Sequence, residues 1–186
     1  MEAAFGARAF YLPATPGLPA AGVRAPAALR RARKGRSMQR VNRSVLVPYP
    51  ATRMFELVDD IEAYPRFLPW CAGAQVLERD DRSKTARIDI DYHGVRAHFT
   101  TKNVNTPPEL IVITLTDGPF RALHGEWRFV PLTDAGCRVD FELTWEFATH
   151  LLERAVGPVF GHIARTFIDA FVRRAETQNA LPRTSR

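Results

Sequence analysis

Cysteine is nearly absent from this chain. Cys71 and Cys137 are the two in 186 residues, with no CxxC and no histidine beside either at ligand spacing. That argues against both a disulfide framework and a structural zinc site. No run approaches the eighteen or so consecutive apolar residues that a membrane-spanning helix requires. HExxH, GxSxG and the phosphate-binding glycine loop are missing too, and no nucleophile stands near a base at motif spacing. The residues therefore offer no catalytic set and no metal ligands.

Acidic residues are scarce in one place. Residues 1–37 hold seven Lys and Arg against the single acid Glu2, so the formal charge of +6 belongs to this leader. The rest of the chain carries 19 basic and 19 acidic side chains. A neutral body gives no support to a broad phosphate-binding groove. The leader is mostly Ala, Pro, Gly and Arg, too little apolar mass to offset chain entropy, and is expected to be disordered. Pro13, Pro16, Pro19 and Pro26 interrupt any amphipathic targeting helix, and no apolar stretch follows a basic start. Met38 immediately precedes the first strand-like run, so a mis-assigned start is the expected explanation of residues 1–37, with a transit peptide as the rival.

What remains is regular. VNRSVLV, from Val41, reads as a β-branched strand. ATRMFELVDDIEAY then places Met54, Phe55, Leu57, Val58 and Ile61 at helical spacings, which predicts two short helices ended by Pro65. AYPRFLPWC, residues 63–71, follows; it is too apolar for an ordinary surface loop and too proline-interrupted for a helix or a central strand. Six strand patterns come next, from GAQVLERD to CRVDFELTWEF. In the last, Cys137, Val139, Phe141, Leu143, Trp145 and Phe147 alternate with Arg138, Asp140, Glu142, Thr144 and Glu146, one face dry and one wet. Turns of a few residues require antiparallel neighbours. The closing segment repeats Val156, Phe160, Ile163, Phe167 and Phe171 at steps of three or four, a long amphipathic helix with a kink expected at Gly157–Pro158. The order predicts an α+β fold in which a curved antiparallel sheet of about seven strands is covered by that helix. Residues 38–181 form the domain and 182–186 a flexible tail.

YPRFLPWC after LVDDIEAY, DGPF between strands, GEWRFVPL, and GPVFGHIARTFIDAF in the last helix are motifs that, together and in this order, resemble the START-like helix-grip proteins of the coenzyme Q-binding and ribosome association toxin (RatA) family. The resemblance runs from about Val41 to Ala175. The chain departs from the family's pattern at the helix end, where ETQNALP stands in place of an aromatic and a glycine.

The resemblance implies a sheet gripping the long helix around an elongated apolar cavity that accepts a lipid such as ubiquinone or a polyisoprenoid precursor, with no other cofactor. Tyr64, Phe67, Leu68 and Trp70 are then expected at the mouth, able to touch a membrane, with Phe99, Leu115, Phe120, Trp127, Phe160, Ile163 and Phe167 along the walls. Taken by themselves, Trp127 and Trp145 read as core, and so does the helix stripe. Thr101, Thr114 and Thr116 are candidate partners for a head group. The family also implies an alternative, binding to the large ribosomal subunit, for which Arg165, Arg173 and Arg174 are the basic residues at hand, beside Asp169 and Glu176. Related folds include aromatases and cyclases, but His93 and His98, His124, Glu126 and Arg128, and Glu142 and Glu146 all read as solvated strand faces, so no catalysis is expected. The motifs match bacterial members better, which points to a bacterial cytoplasm with peripheral contact at the inner membrane, or to a mitochondrion if the leader is a transit peptide.

Overall fold

Each strand of the sheet runs antiparallel to its neighbours, as the short turns require. The computed structural model describes residues 10–12 and 38–180. In chain order these form β1 (Phe10–Leu12), β2 (Gln39–Val47), α1 (Ala51–Asp59), a 3-10 helix (Ile61–Arg66), β3 (Cys71–Arg79), β4 (Ser83–Tyr92), β5 (Val95–Thr106), β6 (Leu110–Asp117), β7 (Phe120–Thr133), β8 (Gly136–Phe147) and α2 (His150–Ala180). The sheet order is β1-β2-β8-β7-β6-β5-β4-β3, so the first long strand pairs with the last.

Seven of these eight strands are the ones the sequence predicts. The eighth, β1, sets Phe10, Tyr11 and Leu12 opposite Leu46, Val45 and Ser44. It is a three-residue departure from the disorder expected of the leader, and a ladder of main-chain bonds along an open edge leaves no trace in composition. The expectations for the rest of the leader and for residues 181–186 lie outside the described residues.

Period-two alternation sets the two faces of the sheet. Cys137, Val139, Phe141, Leu143, Trp145 and Phe147 of β8 are all buried, and the residues between them are partly exposed. α2 lies across the buried face, where the Phe171 ring meets Trp127 (5.3 Å) and the Phe160 ring meets Trp145 (5.2 Å). Register shifts interrupt β3 between Cys71 and Gly73, β6 opposite Thr100–Thr101 and β7 at both ends, and such bulges bend a strand. The β4–β5 connection is the two-residue turn His93–Gly94 with φ of 50° and 79°. Positive φ at both positions suits the twist of a tight hairpin. Its tip reaches α2, where Tyr92 stacks on His162.

Pro50 opens α1, its carbonyl accepting from the amides of Arg53 and Met54. Met54, Phe55, Leu57 and Val58 face the core. Pro65 does not end the helical run as the sequence suggests; it sits inside the 3-10 helix, which continues to Arg66. Its fixed φ suits that conformation, and only one short-range bond is forgone. α2 likewise runs on through Gly157 and Pro158 from His150 to Ala180, past the sequence ETQ that left its end open. Among the described residues no helix is long and apolar enough to cross a membrane.

Candidate functional site: an apolar cavity beneath the long helix

Between α2 and the β4–β5–β6 side of the sheet the core does not close. The walls are Ala86 and Ile88 of β4, Phe99, Thr101 and Asn103 of β5, Ile113 of β6, Leu123 of β7, Phe141 and Leu143 of β8, and Phe160, Ile163, Ala164 and Phe167 of α2. Ile61, Tyr64 and Trp70 complete them from the segment after α1. None of these side chains is charged at neutral pH.

The void is narrow: about 60 Å³ is open to the centres of water-sized molecules, within a hollow of about 630 Å³ counted out to its mouth. The open 60 Å³ is less than half the roughly 150 Å³ of an apolar cavity that takes a benzene ring. Neither a substituted ring nor a long tail fits unless α2 and the 61–70 segment part. Phe99, Ile113 and Phe167 are only half-buried, and there the lining reaches solvent. Small residues leave the gap. Ala86 and Ala164 are almost fully buried on its walls.

Six of the residues expected at a ligand site meet on this cavity: Tyr64, Trp70, Phe99, Phe160, Ile163 and Phe167. Five stand elsewhere. Leu68 and Trp127 are buried in the packed core, and Phe120 sits in an aromatic cluster with Phe147 at 5.0 Å and Phe160 at 4.6 Å. Leu115 is half-buried against the core. Phe67 rests on Phe171 at 5.2 Å under the guanidinium of Arg174. AYPRFLPWC is thus packed onto the domain: Tyr64, Leu68 and Trp70 are buried, and the prolines, Arg66 and part of Phe67 are what it presents to solvent.

The Tyr64 phenol donates to the Val58 carbonyl at 2.6 Å, and burial pushes its pKa far above the ordinary range. It is held neutral and already spends its proton on the main chain. The remaining polar side chains of the lining are Thr101 and Asn103, 4% and 9% exposed, with Thr101 Oγ1 donating to Asn103 Oδ1 at 3.0 Å. Asn103 escapes sequence reasoning, although extending the inward series Val95, Ala97, Phe99 by two-residue steps reaches both Thr101 and Asn103. Thr114 and Thr116 are exposed and do not line the cavity.

Two other hollows, about 320 Å³ between β2, β8 and the first half of α2 and about 410 Å³ on the outer face beside Asp89 and Arg96, are more open and carry charged walls. Among the described residues no group of His, Cys, Asp or Glu is placed to hold a metal ion.

Residues 47–172 match the family model described as polyketide cyclase / dehydrase and lipid transport. The ribosome association toxin RatA of Escherichia coli K12 is 42% identical over 139 residues, covering 75% of this chain and 88% of that protein. The mitochondrial coenzyme Q-binding protein coq10 of Schizosaccharomyces pombe is 29% identical over 143 residues, covering 74% and 87%. Among solved structures, the Zhui aromatase/cyclase of a Streptomyces species superposes with a TM-score of 0.67 at 18% identity, covering 80% of this chain and all of that one. At that identity the likeness is one of fold.

Proposed function

The chain belongs to the polyketide cyclase / dehydrase and lipid transport family, and from that premise we propose that it binds a neutral, largely hydrocarbon lipid, with a polyisoprenoid quinone such as ubiquinone as the best candidate, in the cavity beneath α2. The observation that carries the reading is a void walled by apolar side chains with no charge among them. Each methylene-sized unit of a ligand taken from water into this cavity adds about 0.8 kcal/mol. A tail of several isoprene units would need α2 to move outward, so uptake and a shift of the helix are one event. The similarity to a coenzyme Q-binding protein supports the same ligand class.

Binding without turnover is part of the proposal. The one titratable lining residue, Tyr64, is tied to Val58 and kept neutral, so no acid or base stands ready at the cavity. A bacterial protein that meets the membrane only to exchange its ligand fits this picture.

Detergent-free purification, organic extraction and mass spectrometry test the proposal. A quinone or prenylated precursor near one per chain is expected; a protein that emerges empty and takes up no added ubiquinone refutes it.

A second reading rests on the 42% identity to proteins named for ribosome association. On this reading the protein binds the large ribosomal subunit, with exposed Arg165 and Arg173 of α2 as first contacts. The neighbouring Asp169 pairs with Arg43 at 3.6 Å. Arg174 is turned inward over Phe67. A charge-balanced body weighs against extensive RNA contact, which draws on concentrated positive charge. Cosedimentation with 50S particles on a gradient, lost in the Arg165→Glu/Arg173→Glu double variant, is the expected result of this reading.

A further inference from the structure

An amide buried in an apolar cavity is costly unless its hydrogen bonds are made. Asn103 is 9% exposed on β5 and lines the cavity with Thr101. Its Oδ1 accepts the Thr101 hydroxyl at 3.0 Å. In this arrangement the Nδ2 group is turned away from Thr101. The Nδ2 group brings two hydrogens and makes no hydrogen bond to the described residues; it is not sealed from water-sized molecules, and the cavity is the space it faces. The Tyr64 hydroxyl, also on the lining, has given its hydrogen to Val58.

From this we infer that Asn103, oriented by Thr101, is the head-group recognition point of the cavity: it donates to an oxygen acceptor on a neutral ligand. The inference rests on the lipid-binding reading and narrows it. A ring or chain bearing a carbonyl or ether oxygen satisfies the amide, whereas a plain hydrocarbon leaves it unpaired. A carboxylate or phosphate head would enter a space with no cation on its walls, and burying an unpaired charge is far more costly than burying an amide. Charged lipids are therefore poor occupants of this position, and the head lies inward with any tail toward the half-buried Phe99, Ile113 and Phe167. Asn103 touches ligand in this scheme, and Thr101 is a positioning residue.

The matched probes are duroquinone and durene, the same tetramethylated ring with and without two carbonyl oxygens. Duroquinone has no free ring position at which a thiol can add. Binding of each is followed by NMR shifts of cavity side chains in the wild type, Asn103→Leu and Thr101→Val. Asn103→Leu is expected to weaken duroquinone about five- to tenfold, one lost hydrogen bond, while durene binds as well or better. Thr101→Val, nearly isosteric, is expected to weaken duroquinone about two- to threefold and leave durene unchanged, and it decides the matter if Asn103→Leu does not fold. Equal loss of both probes, or no loss of either, overturns the role of the pair while the cavity stands. If neither probe binds the wild type, the cavity reading itself falls.

Discussion

The phenol of Tyr64 donates a 2.6 Å hydrogen bond to the carbonyl of Val58, fastening the 3-10 helix to the last turn of α1. Tyr64 also packs edge-on against Phe171 at 5.3 Å and Phe167 at 6.2 Å, so a single side chain joins the segment after α1 to the long helix. Tyr64→Phe keeps the ring and strands the carbonyl. It is expected to lower stability by about 1–2 kcal/mol, read as a shifted denaturation midpoint with an unchanged slope. No change in the midpoint would mean that the hydroxyl contributes nothing to the join.

A second fastening holds α1 from the other side. Lys84 Nζ reaches Asp59 Oδ2 at 2.5 Å and the Asp59 carbonyl at 3.0 Å, and Asn105 Nδ2 reaches Asp59 Oδ1 at 2.6 Å. The Lys84 and Asp59 side chains are 13% and 26% exposed, too sheltered for water to replace the partner fully. Asp59→Ala removes the carboxylate from both donors, leaving Lys84 only the main-chain carbonyl, and is expected to cost about 2–3 kcal/mol in urea denaturation. A loss of only a few tenths would place the cluster with ordinary surface pairs.

Stability should fall on the alkaline side. Burial raises the thiols of Cys71 and Cys137 to about 11 from an ordinary value of 9.0. The folded chain therefore keeps protons that the unfolded chain releases, and the stabilisation, complete below about pH 9, is lost as pH rises from about 9 to about 11. Urea midpoints measured across that range are expected to decline, and to decline less steeply in Cys71→Ala and Cys137→Ala. The same burial should make both thiols slow toward iodoacetamide at pH 8 in the native protein and fast once it is unfolded. Rapid alkylation of native protein would contradict this.

Filling the void should remove the ligand and spare the fold. Ala164 is 1% exposed on the lining face of α2, and Ala164→Leu directs three further carbons toward the gap. Affinity for a ubiquinone analogue is expected to fall at least about tenfold by titration calorimetry, with stability changed by no more than about 1–2 kcal/mol. Unchanged affinity would put the ligand elsewhere.

Much of this architecture can be read from residue order. The alternation through Cys137–Phe147 and the stripe Phe160, Ile163, Phe167, Phe171 name the buried faces, and the motifs around YPRFLPWC name the family. The cavity is less legible, because a gap is made by what is absent. Ala86 and Ala164 carry no signal of their own, and their effect appears only when the sheet and the helix meet. The resemblance implies Trp127 and Phe120 as ligand contacts; here they pack against other aromatic side chains, Trp127 against Phe141 at 4.4 Å and Phe120 against Phe160 at 4.6 Å. Proline misleads at position 65, where a 3-10 helix tolerates what an α-helix would not.

Photo-crosslinking most directly tests the claim that a lipid sits beneath α2. A benzoquinone carrying a diazirine in a short prenyl tail is irradiated with the full-length protein, and labelled residues are mapped by mass spectrometry. Adducts are expected on the cavity walls, at Phe99, Ile113 and the Phe160–Phe167 face of α2, and competed away by unlabelled ubiquinone. Labels confined to the outer sheet face, or unaffected by the competitor, would contradict the account.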